Sequence, residues 1–480
     1  MSKNPEAVIG LEIHVQLATA SKIFATSGTT AGEAPNSLTD PVTLGLPGCL
    51  PVLNKKVVDH AIKFALATNC EVQEESVFAR KHYHYPDLPK GYQISQYEKP
   101  ICLDGHIDLN LDSGTKRIGI TRIHLEEDAG KSVHHDDEPI SSVDLNRAGV
   151  PLCELVSEPD IRTPEEAGAF IRTIRQIVRY IDISDGNMEE GSLRCDANIS
   201  VRWSSEDPFG QKVEIKNLNS FRHVEKAIEY EISRQSEMLR HGQEIVQETR
   251  LWDEAKAVTK PMRSKEFAED YRYFPCPDLP PLIVDKEWIE NAKESMPELP
   301  QAVRARFIKD YGLDEETADR LSLEKSVAKF YDESVANHNN PKTIANWLGT
   351  ELFGRLNKEG ISMSECPVSP ENLALLVRTI DEGTISGKIA KSVFDEMFKT
   401  GANPESIIEN KGLKQITDTG AIEAEINAVL DENPGQVAEY LSGKDKVIGF
   451  FVGQIMKRTQ GKANPKLVNE ELIKALKKRG

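Results

Sequence analysis

Nowhere in the 480 residues do about 20 apolar residues run together, so no helix is expected to cross a bilayer. The seven cysteines, at 49, 70, 102, 153, 195, 276 and 366, are scattered and form no CxxC pair. That pattern argues against a disulfide frame or a zinc knuckle and for reduced thiols. GxxxxGK[ST] is missing, which excludes a P-loop ATPase, as is a kinase-type GxGxxG with HRD and DFG. The opening MSKNPEAVIG has no apolar signal core and no cleavage site, so a cytoplasmic location is expected. Basic charge is in deficit, with 59 Lys and Arg against 77 Asp and Glu, a net −18. Such a chain repels a nucleic-acid backbone as a whole, and any RNA contact must be local. One place qualifies. From Leu441 to Gly480, ten Lys and Arg face three acids, a local balance of +7. A solvated helix face is the plainer explanation of that run.

What is present is a soluble-protein composition, 39% apolar and 28% charged, in a chain long enough for two or three domains. VIGLEIHVQL (8–17) alternates: Ile9, Leu11, Ile13, Val15 and Leu17 on one side, Glu12, His14 and Gln16 on the other. That is a half-buried strand. SLRCDANISV (192–201) and KVEIKNL (212–218) repeat the pattern, with Arg194, Asp196 and Asn198, then Glu214 and Lys216, on the polar side. In RIGITRIHLEED (117–128) the apolar phase slips between Ile120 and Ile123, which predicts a bulge. Two inserted helices are expected. One is capped by Thr163 with Pro164 and Glu166 behind it, the other runs from about Phe221 to Arg240. Beyond about residue 297 strand patterns give way to helices joined by short Asn, Pro and Gly turns. The expected architecture is α/β (α+β): a cradle with a mixed or antiparallel sheet at 1–293, an all-α domain at 294–404 and a small all-α tail at 405–480. The proline-rich CPDLPPLIV (276–284) marks the first seam, and Gly401 to Pro404 the second.

Glu12 with His14, and Asp196 with Asn198, each project two apart from the polar side of a strand. Glu126, Glu127, Asp128, Glu189 and Glu190 lie between them in sequence. Oxygen-rich sets of this kind suit Mg²⁺, which keeps waters for substrate phosphates. A histidine among them fits a ligand or an acid/base group. Arg80, Lys81, His82 and His84 interleave with Tyr83 and Tyr85, a mixture that suits a nucleotide or a tRNA end as well as an ordinary surface loop. Residue types alone lead to a metal-binding soluble enzyme acting on phosphates.

Longer strings add to this reading. VIGLEIHVQL, LGLPGCLPVLNKK (44–56), YPDLPKGYQISQYE (85–98), GITRIHLEEDAGKS (119–132), DLNRAGVPLCELVSEPDIRTPEEA (144–167), MEEGSLRCDANIS (188–200), EIKNLNSF (214–221), DYRYFPCPDLPPL (270–282), SGKIAKSVFDEM (386–397) and GFFVGQIMKRTQGKANPKLVN (449–469) occur in this order. Together they resemble the B subunit of the tRNA-dependent amidotransferases, the GatB family, and less closely its archaeal E-subunit relative. The resemblance spans nearly the whole chain.

The resemblance implies an ATP-dependent carbon–nitrogen ligase that uses glutamine as amido donor. An A subunit releases ammonia, a small C subunit wraps the other two, and the B subunit phosphorylates the carboxylate of misacylated Glu-tRNA(Gln) or Asp-tRNA(Asn) before amidation. The cofactors implied are Mg²⁺ and ATP. By motif match the metal shell is Glu12, His14, Glu127, Glu190 and Asp196, with Asn198 beside it. Glu126 and Glu189 are the alternatives to their neighbours. Lys81, Arg194 and Lys216 become catalytic cations beside Glu12, His14 and Glu127, and Lys81, His84, Asn198 and Lys216 hold the nucleotide. Lys444, Lys446, Lys457, Arg458 and Lys462 become tRNA contacts in a YqeY-like tail. No serine–lysine or cysteine–histidine amidase arrangement is apparent, so ammonia release is assigned to the partner.

Many family members carry a zinc held by a CxC and a CxxC. The matching positions here read Ala25, Ser27, Asp40 and Thr43, so no structural zinc is expected. Two rival readings are a non-catalytic tRNA-binding scaffold and a stand-alone Mg²⁺-dependent phosphohydrolase or nuclease. Aligned carboxylates weigh against the first, and a need for glutamine and a partner would separate the second.

Overall fold

The computed structural model describes residues 5–135, 140–262, 271–414, 419–459 and 463–480. The chain divides into two compact units, Met1–Pro300 and Gln301–Gly480.

In the first unit the elements are β1 (Glu6–Gln16), α1 (Lys55–Ala67), β2 (Glu71–Val72), β3 (Glu75–Ser76), β4 (Phe78–His82), β5 (Tyr92–Gln96), β6 (Cys102–Leu111), β7 (Gly114–Glu127), β8 (Lys131–His134), β9 (Ser141–Asp144) and β10 (Pro151–Ser157). They continue with α2 (Pro164–Tyr180), β11 (Leu193–Arg202), β12 (Val213–Leu218), α3 (Phe221–Arg240), β13 (Thr249–Asp253), β14 (Val258–Pro261), β15 (Phe274–Pro275), β16 (Leu282–Ile283) and α4 (Lys286–Glu294). Nine strands form one mixed sheet in the order β14-β13-β12-β11-β1-β10-β7-β6-β2. Among the described residues its one parallel pair is β12 with β13. The strand read first in the sequence, β1, lies at its centre, between β10 and β11.

The sheet is two-faced because its strands alternate. Ile9, Leu11, Ile13 and Val15 of β1 are at most 1% exposed. They join Cys195, Ala197 and Ile199 of β11, and Cys153 and Leu155 of β10, in one core with α1, α2 and α3. Each aliphatic side chain removed from water there contributes about 1.5–3 kcal/mol. Helices cover that face only, so the other is free to carry polar groups. The cap of α2 is as the sequence indicates, with Thr163 Oγ1 accepting from Glu166 N at 3.2 Å; on α3 Ser220 Oγ accepts from His223 N at 3.2 Å, a cap that the sequence analysis does not name. The two-helix expectation omits α1 and α4. Asn54 caps α1, and its Val57, Val58, Ala61, Ile62 and Ala65, on one 3.6-period stripe, are fully buried.

Two bulges re-aim side chains. On β7 the partner of Val156 is Arg122 but that of Ser157 is Ile120, so Thr121 is the extra residue. The phase slip in the sequence falls there. On β12 one extra residue lies opposite Asp196, between the pairs Cys195–Leu218 and Ala197–Ile215. Asn217, at φ 68°, takes up the left-handed turn that this bulge needs.

The second unit is helical: α5 (Pro300–Tyr311), α6 (Glu315–Ser322), α7 (Lys325–Asn337), α8 (Pro341–Trp347), α9 (Phe353–Glu359), α10 (Pro370–Asp381), α11 (Gly387–Thr400), α12 (Pro404–Asn410), α13 (Thr419–Glu432), α14 (Pro434–Leu441), α15 (Ile448–Arg458) and α16 (Pro465–Lys478). A π-turn at Leu348–Leu352 joins α8 to α9. Its last part has its own core, in which Ile422 and Ile426 of α13, Phe451 and Ile455 of α15, and Val468, Leu472 and Leu476 of α16 are buried together. The architecture is α/β followed by all-α, as the patterning indicates.

Candidate active site

The polar face of the large sheet gathers acidic side chains from five adjacent strands. Register explains which ones. Glu12 of β1 stands opposite Asp196 of β11, and Asn198 stands opposite Glu214 of β12. On the other flank His14 of β1 faces Glu154 of β10, which in turn faces His124 of β7. Two ligand-like groups result. In each, one donor atom per residue lies within 4.8 Å of the others: Glu12, Asp196 and Glu214 in one, His14, Glu126 and Glu154 in the other.

The first group is all oxygen. Asn198 Nδ2 donates to Glu12 Oε1 at 2.9 Å and fixes that carboxylate. Lys216 Nζ reaches Asp196 and lies 3.0 Å from Glu214 Oε1. Burial, and then the charges of Glu154, Glu214 and Asp196, raise the Glu12 pKa above the ordinary carboxylate value. Burial opposes the Lys216 charge, but Asp196 and Glu214 outweigh it and hold the ammonium protonated. Like charges pressed together around one cation are what a divalent ion relieves.

The second group includes an imidazole. His14 Nε2 lies 3.3 Å from Glu154 Oε2 and 3.6 Å from Glu126 Oε1, and His124 Nε2 lies 3.4 Å from Glu154 Oε2. Burial works against a charge on His14, yet the hydrogen bond to Glu154 and the charges of Glu154 and Glu126 raise its pKa to about 9. Glu154 is held well below the carboxylate range: burial opposes this, while His124, His14 and Lys81 drive it. Arg194, opposite His14, donates from Nη2 to Asp128 Oδ2 at 3.0 Å. The rim here is aromatic. Lys81 Nζ lies 4.9 Å from the centre of the Tyr271 ring, Tyr271 meets Tyr83 and Tyr273 edge-on, and Tyr273 stacks on Tyr97 at 4.3 Å.

Glu12, His14, Asp196, Asn198 and Lys216 thus meet on one surface, with Arg194 at its edge. Glu127 does not join them. Past the bulge at Thr121, Ile123, Leu125 and Glu127 share the inner face, while His124 and Glu126 share the outer. Glu127 accepts from Ile94 N at 2.8 Å and pairs with Lys90, both side chains being nearly enclosed. Glu126 takes the place in the cluster that the sequence reading gave to Glu127. Glu190 is exposed in the turn before β11 and stands outside both groups. With Glu189 it lines a cavity of about 610 Å³ that also meets Arg147, Arg194 and Asp196. His84 is exposed on the loop 83–91, beside Gly91, where an added Cβ would lie 3.1 Å from its Nδ1. Glu154, Glu214 and His124 went unassigned. Each alternates with core residues in PLCELVS, KVEIKNL and RIHLEE, the signal that revealed Glu12 and His14.

Ser27, Asp40 and Thr43, three of the positions at which the sequence reading expects no zinc, form a hydrogen-bonded knot. Asp40 Oδ1 accepts from Val42 N and Thr43 N, both at 2.9 Å, and Oδ2 accepts from the hydroxyls of Ser27 and Thr43. In the tail, Lys444 lies 3.7 Å from Glu439, and Arg458 is bound at 2.8 Å by both Glu425 and Glu432. Lys446 and Lys457 are exposed. Lys462 lies outside the described residues.

An acidic sheet face flanked by cations and aromatics, followed by an all-α region, defines a multidomain protein equipped to handle phosphates and charged esters. Residues 7–290 match the GatB/GatE catalytic domain and residues 329–476 the GatB domain, so the chain belongs to the GatB/GatE family. It is similar to proteins described as the B subunit of aspartyl/glutamyl-tRNA(Asn/Gln) amidotransferase. That of Geotalea uraniireducens is 57% identical over 98% of this chain and 99% of its own length. Those of Carboxydothermus hydrogenoformans and Persephonella marina are each 55% identical, with 98% of this chain and 99% of theirs covered.

Proposed function

We propose that this chain is the B subunit of an ATP-dependent, glutamine-using amidotransferase that acts on misacylated Glu-tRNA(Gln), Asp-tRNA(Asn) or both. It works with an A subunit that releases ammonia and with a C subunit, in the cytoplasm. Among the described residues no helix is long and apolar enough to cross a membrane. The observation that carries the reading is the convergence of Glu12, Asp196 and Glu214 with His14, Glu126 and Glu154 on one face, in a chain alike over its full length to proteins of that description.

The chemistry needs little more than positioning and charge. A free carboxylate resists attack by ammonia because oxide is a very poor leaving group. Its oxygen attacks the γ-phosphorus of ATP, the bond to ADP breaks, and an acyl phosphate forms. Ammonia then adds to the acyl carbon, phosphate leaves, and the nitrogen loses a proton. The all-oxygen set Glu12, Asp196 and Glu214 suits Mg²⁺, which when bound supplies charge for the phosphate oxygens. Lys216 holds positive charge against the same carboxylates, and Asn198 fixes Glu12 on the polar face. Lys81 and Arg194 stand on the His14 side, where they suit the acyl end and its negative charge. The chain serves this work in three parts: the cradle at 1–293, a helical connection at 294–404, and a tail at 405–480. In the tail Lys444, Lys446, Lys457, Arg458 and Lys462 supply local positive charge for tRNA phosphates.

The test is co-expression with the A and C partners, followed by assay of ATP- and glutamine-dependent conversion of both misacylated tRNAs. Glu12→Gln should abolish transamidation while the partner's glutaminase continues. Full transamidation by that variant would leave only the scaffold reading, and turnover without glutamine or partners would favour a phosphohydrolase.

A further inference from the structure

We propose that the cavity beside Tyr97, on the small sheet that carries Lys81, receives the terminal adenine of the acylated tRNA, with the ester directed along β4 toward Lys81 and the His14 group. This rests on the proposed function above, which brings the acylated end into the site but does not place its last base.

The small sheet has the order β15-β4-β5. Side chains alternate along a strand, so Ala79 and Lys81 of β4 share one face. Pro275 of β15 and Ser95 of β5 stand opposite Ala79 on either side. The cavity lies against that face, lined by Val77, Ala79 and Pro275 together with Tyr97, Tyr273 and Lys99. It measures about 170 Å³, below the roughly 300–1,000 Å³ of pockets that enclose a whole small ligand. A space of that size suits one base of a longer chain whose remainder lies outside. That separates the end of a tRNA from ATP, the other adenosine of the reaction, which is held whole.

Tyr97 is the unusual element. It follows β5 directly and is 50% exposed, yet its ring is braced. It stacks on Tyr273 with centres 4.3 Å apart and planes 12° from parallel. Tyr273 meets Tyr271 edge-on at 6.2 Å, and Lys81 Nζ lies 4.9 Å from the centre of the Tyr271 ring. One file of groups thus runs from the cavity to the ammonium whose charge acts on Glu154. An exposed ring backed by a second ring is a platform for a base.

Spacing agrees with this placement. Tyr97 lies four positions along the chain from Gln93, the partner of Lys81, a distance of about 13 Å in extended chain. Eight or nine bonds separate the base from the aspartyl or glutamyl carboxylate, and at about 1.2 Å of advance per bond they cover about 10–11 Å. The Lys81 side chain bridges the remainder. On the rim, Lys99 pairs with Glu75 at 2.8 Å, both side chains being exposed. Such a pair is worth little, so the ammonium is available to the phosphate that precedes the last base.

Two RNA probes test this on the complex assembled with its A and C partners: intact tRNA, and the same tRNA ending one nucleotide short. The parent complex should bind the shortened probe about tenfold more weakly, the size of one lost base stack. Tyr97→Ala should weaken binding of intact tRNA by a similar factor and bring the two probes within about twofold of each other, while Tyr97→Phe keeps the parent's difference. KM for ATP should stay within about twofold in Tyr97→Ala. A full penalty for shortening in Tyr97→Ala, a parent indifferent to shortening, or a rise in KM for ATP in place of the lost RNA affinity would overturn the proposal. So would release of the A or C chain from the Tyr97→Ala complex in gel filtration, which would make this face a subunit contact. The two levels fail differently. A parent complex that converts neither misacylated tRNA sinks the function, whereas normal conversion with Tyr97→Ala indistinguishable from the parent sinks the pocket alone.

Discussion

Glu126 and Glu127 are neighbours in the chain and face opposite sides of the sheet, the first 3.6 Å from His14, the second buried against Lys90. Their substitutions should therefore fail differently. Glu126→Gln keeps size and hydrogen bonding, lies beside His14 and Glu154 in the proposed site, and should lower transamidation at least a hundredfold with an unaltered melting temperature. Glu127→Ala strands a Lys90 side chain only 7% exposed and orphans the Ile94 amide. Removing one partner of a buried pair costs about 3–5 kcal/mol, so this variant should melt several degrees lower. Thermal unfolding alongside single-turnover assays checks the contrast. The same thermal penalty for both would mean that Glu126 too is structural.

The parity of those two residues also shows how much the sequence could reveal. Alternation alone placed Glu12, His14, Asp196 and Asn198 on polar faces, because Ile9 to Leu17 and Leu193 to Val201 keep an unbroken period of two. In β7 one extra residue reverses the parity, and the slip could be seen between Ile120 and Ile123 without a register to fix it. The register with β10 does so, and Glu126 rather than Glu127 then points outward. Glu154 and Glu214 were legible by the same alternation; what sequence lacked was the knowledge that β10 and β12 flank β1 and β11. Glu190 illustrates the opposite limit. It precedes β11 in a turn, where closeness in sequence to Asp196 says nothing about direction.

His60 should make the fold sensitive to acid. It sits on α1 at 4% exposure, and burial, followed by the charges of Lys56 and Lys63, pushes its pKa down to about 4. Folded, it stays neutral; unfolded, it takes a proton below its ordinary value of about 6.5. The unfolded state thus binds more protons between these limits, and stability falls as pH drops from about 6.5 to about 4, then levels. At about 1.4 kcal/mol per pH unit the loss is at most about 3.5 kcal/mol. Denaturant titrations at pH 7.5 and 5 should show His60→Leu losing less stability between the two than the parent chain. Equal losses would exclude His60 as the source.

Asp40 should hold its turn together without a metal. Its carboxylate accepts from two backbone amides and two hydroxyls, tying Ser27 to the turn before LGLPG. Asp40→Ala leaves these donors unpaired and should cost about 2–3 kcal/mol. Elemental analysis of the purified chain should find no stoichiometric zinc, and a chelator should not shift its melting temperature. One zinc per chain, or a chelator-sensitive melt, would refute this.

The tail's cations should divide into two kinds. Arg458 is held by Glu425 and Glu432, binding α15 to α13, so Arg458→Ala should loosen the tail before it affects RNA. Lys446 and Lys457 are exposed, and no ion pair within the tail involves either among the described residues. A cation without a protein partner loses nothing on meeting a phosphate, and each such contact releases counterions. Lys446→Ala and Lys457→Ala should weaken tRNA binding and each lower the slope of log K against log salt by about 0.7–0.9. Deleting residues 406–480 should remove this contribution whole while glutamine hydrolysis by the partner persists. Affinity and salt slope both unmoved by the deletion would place the RNA contact elsewhere, since a local basic surface is the one means by which a chain of net charge −18 attracts a polyanion.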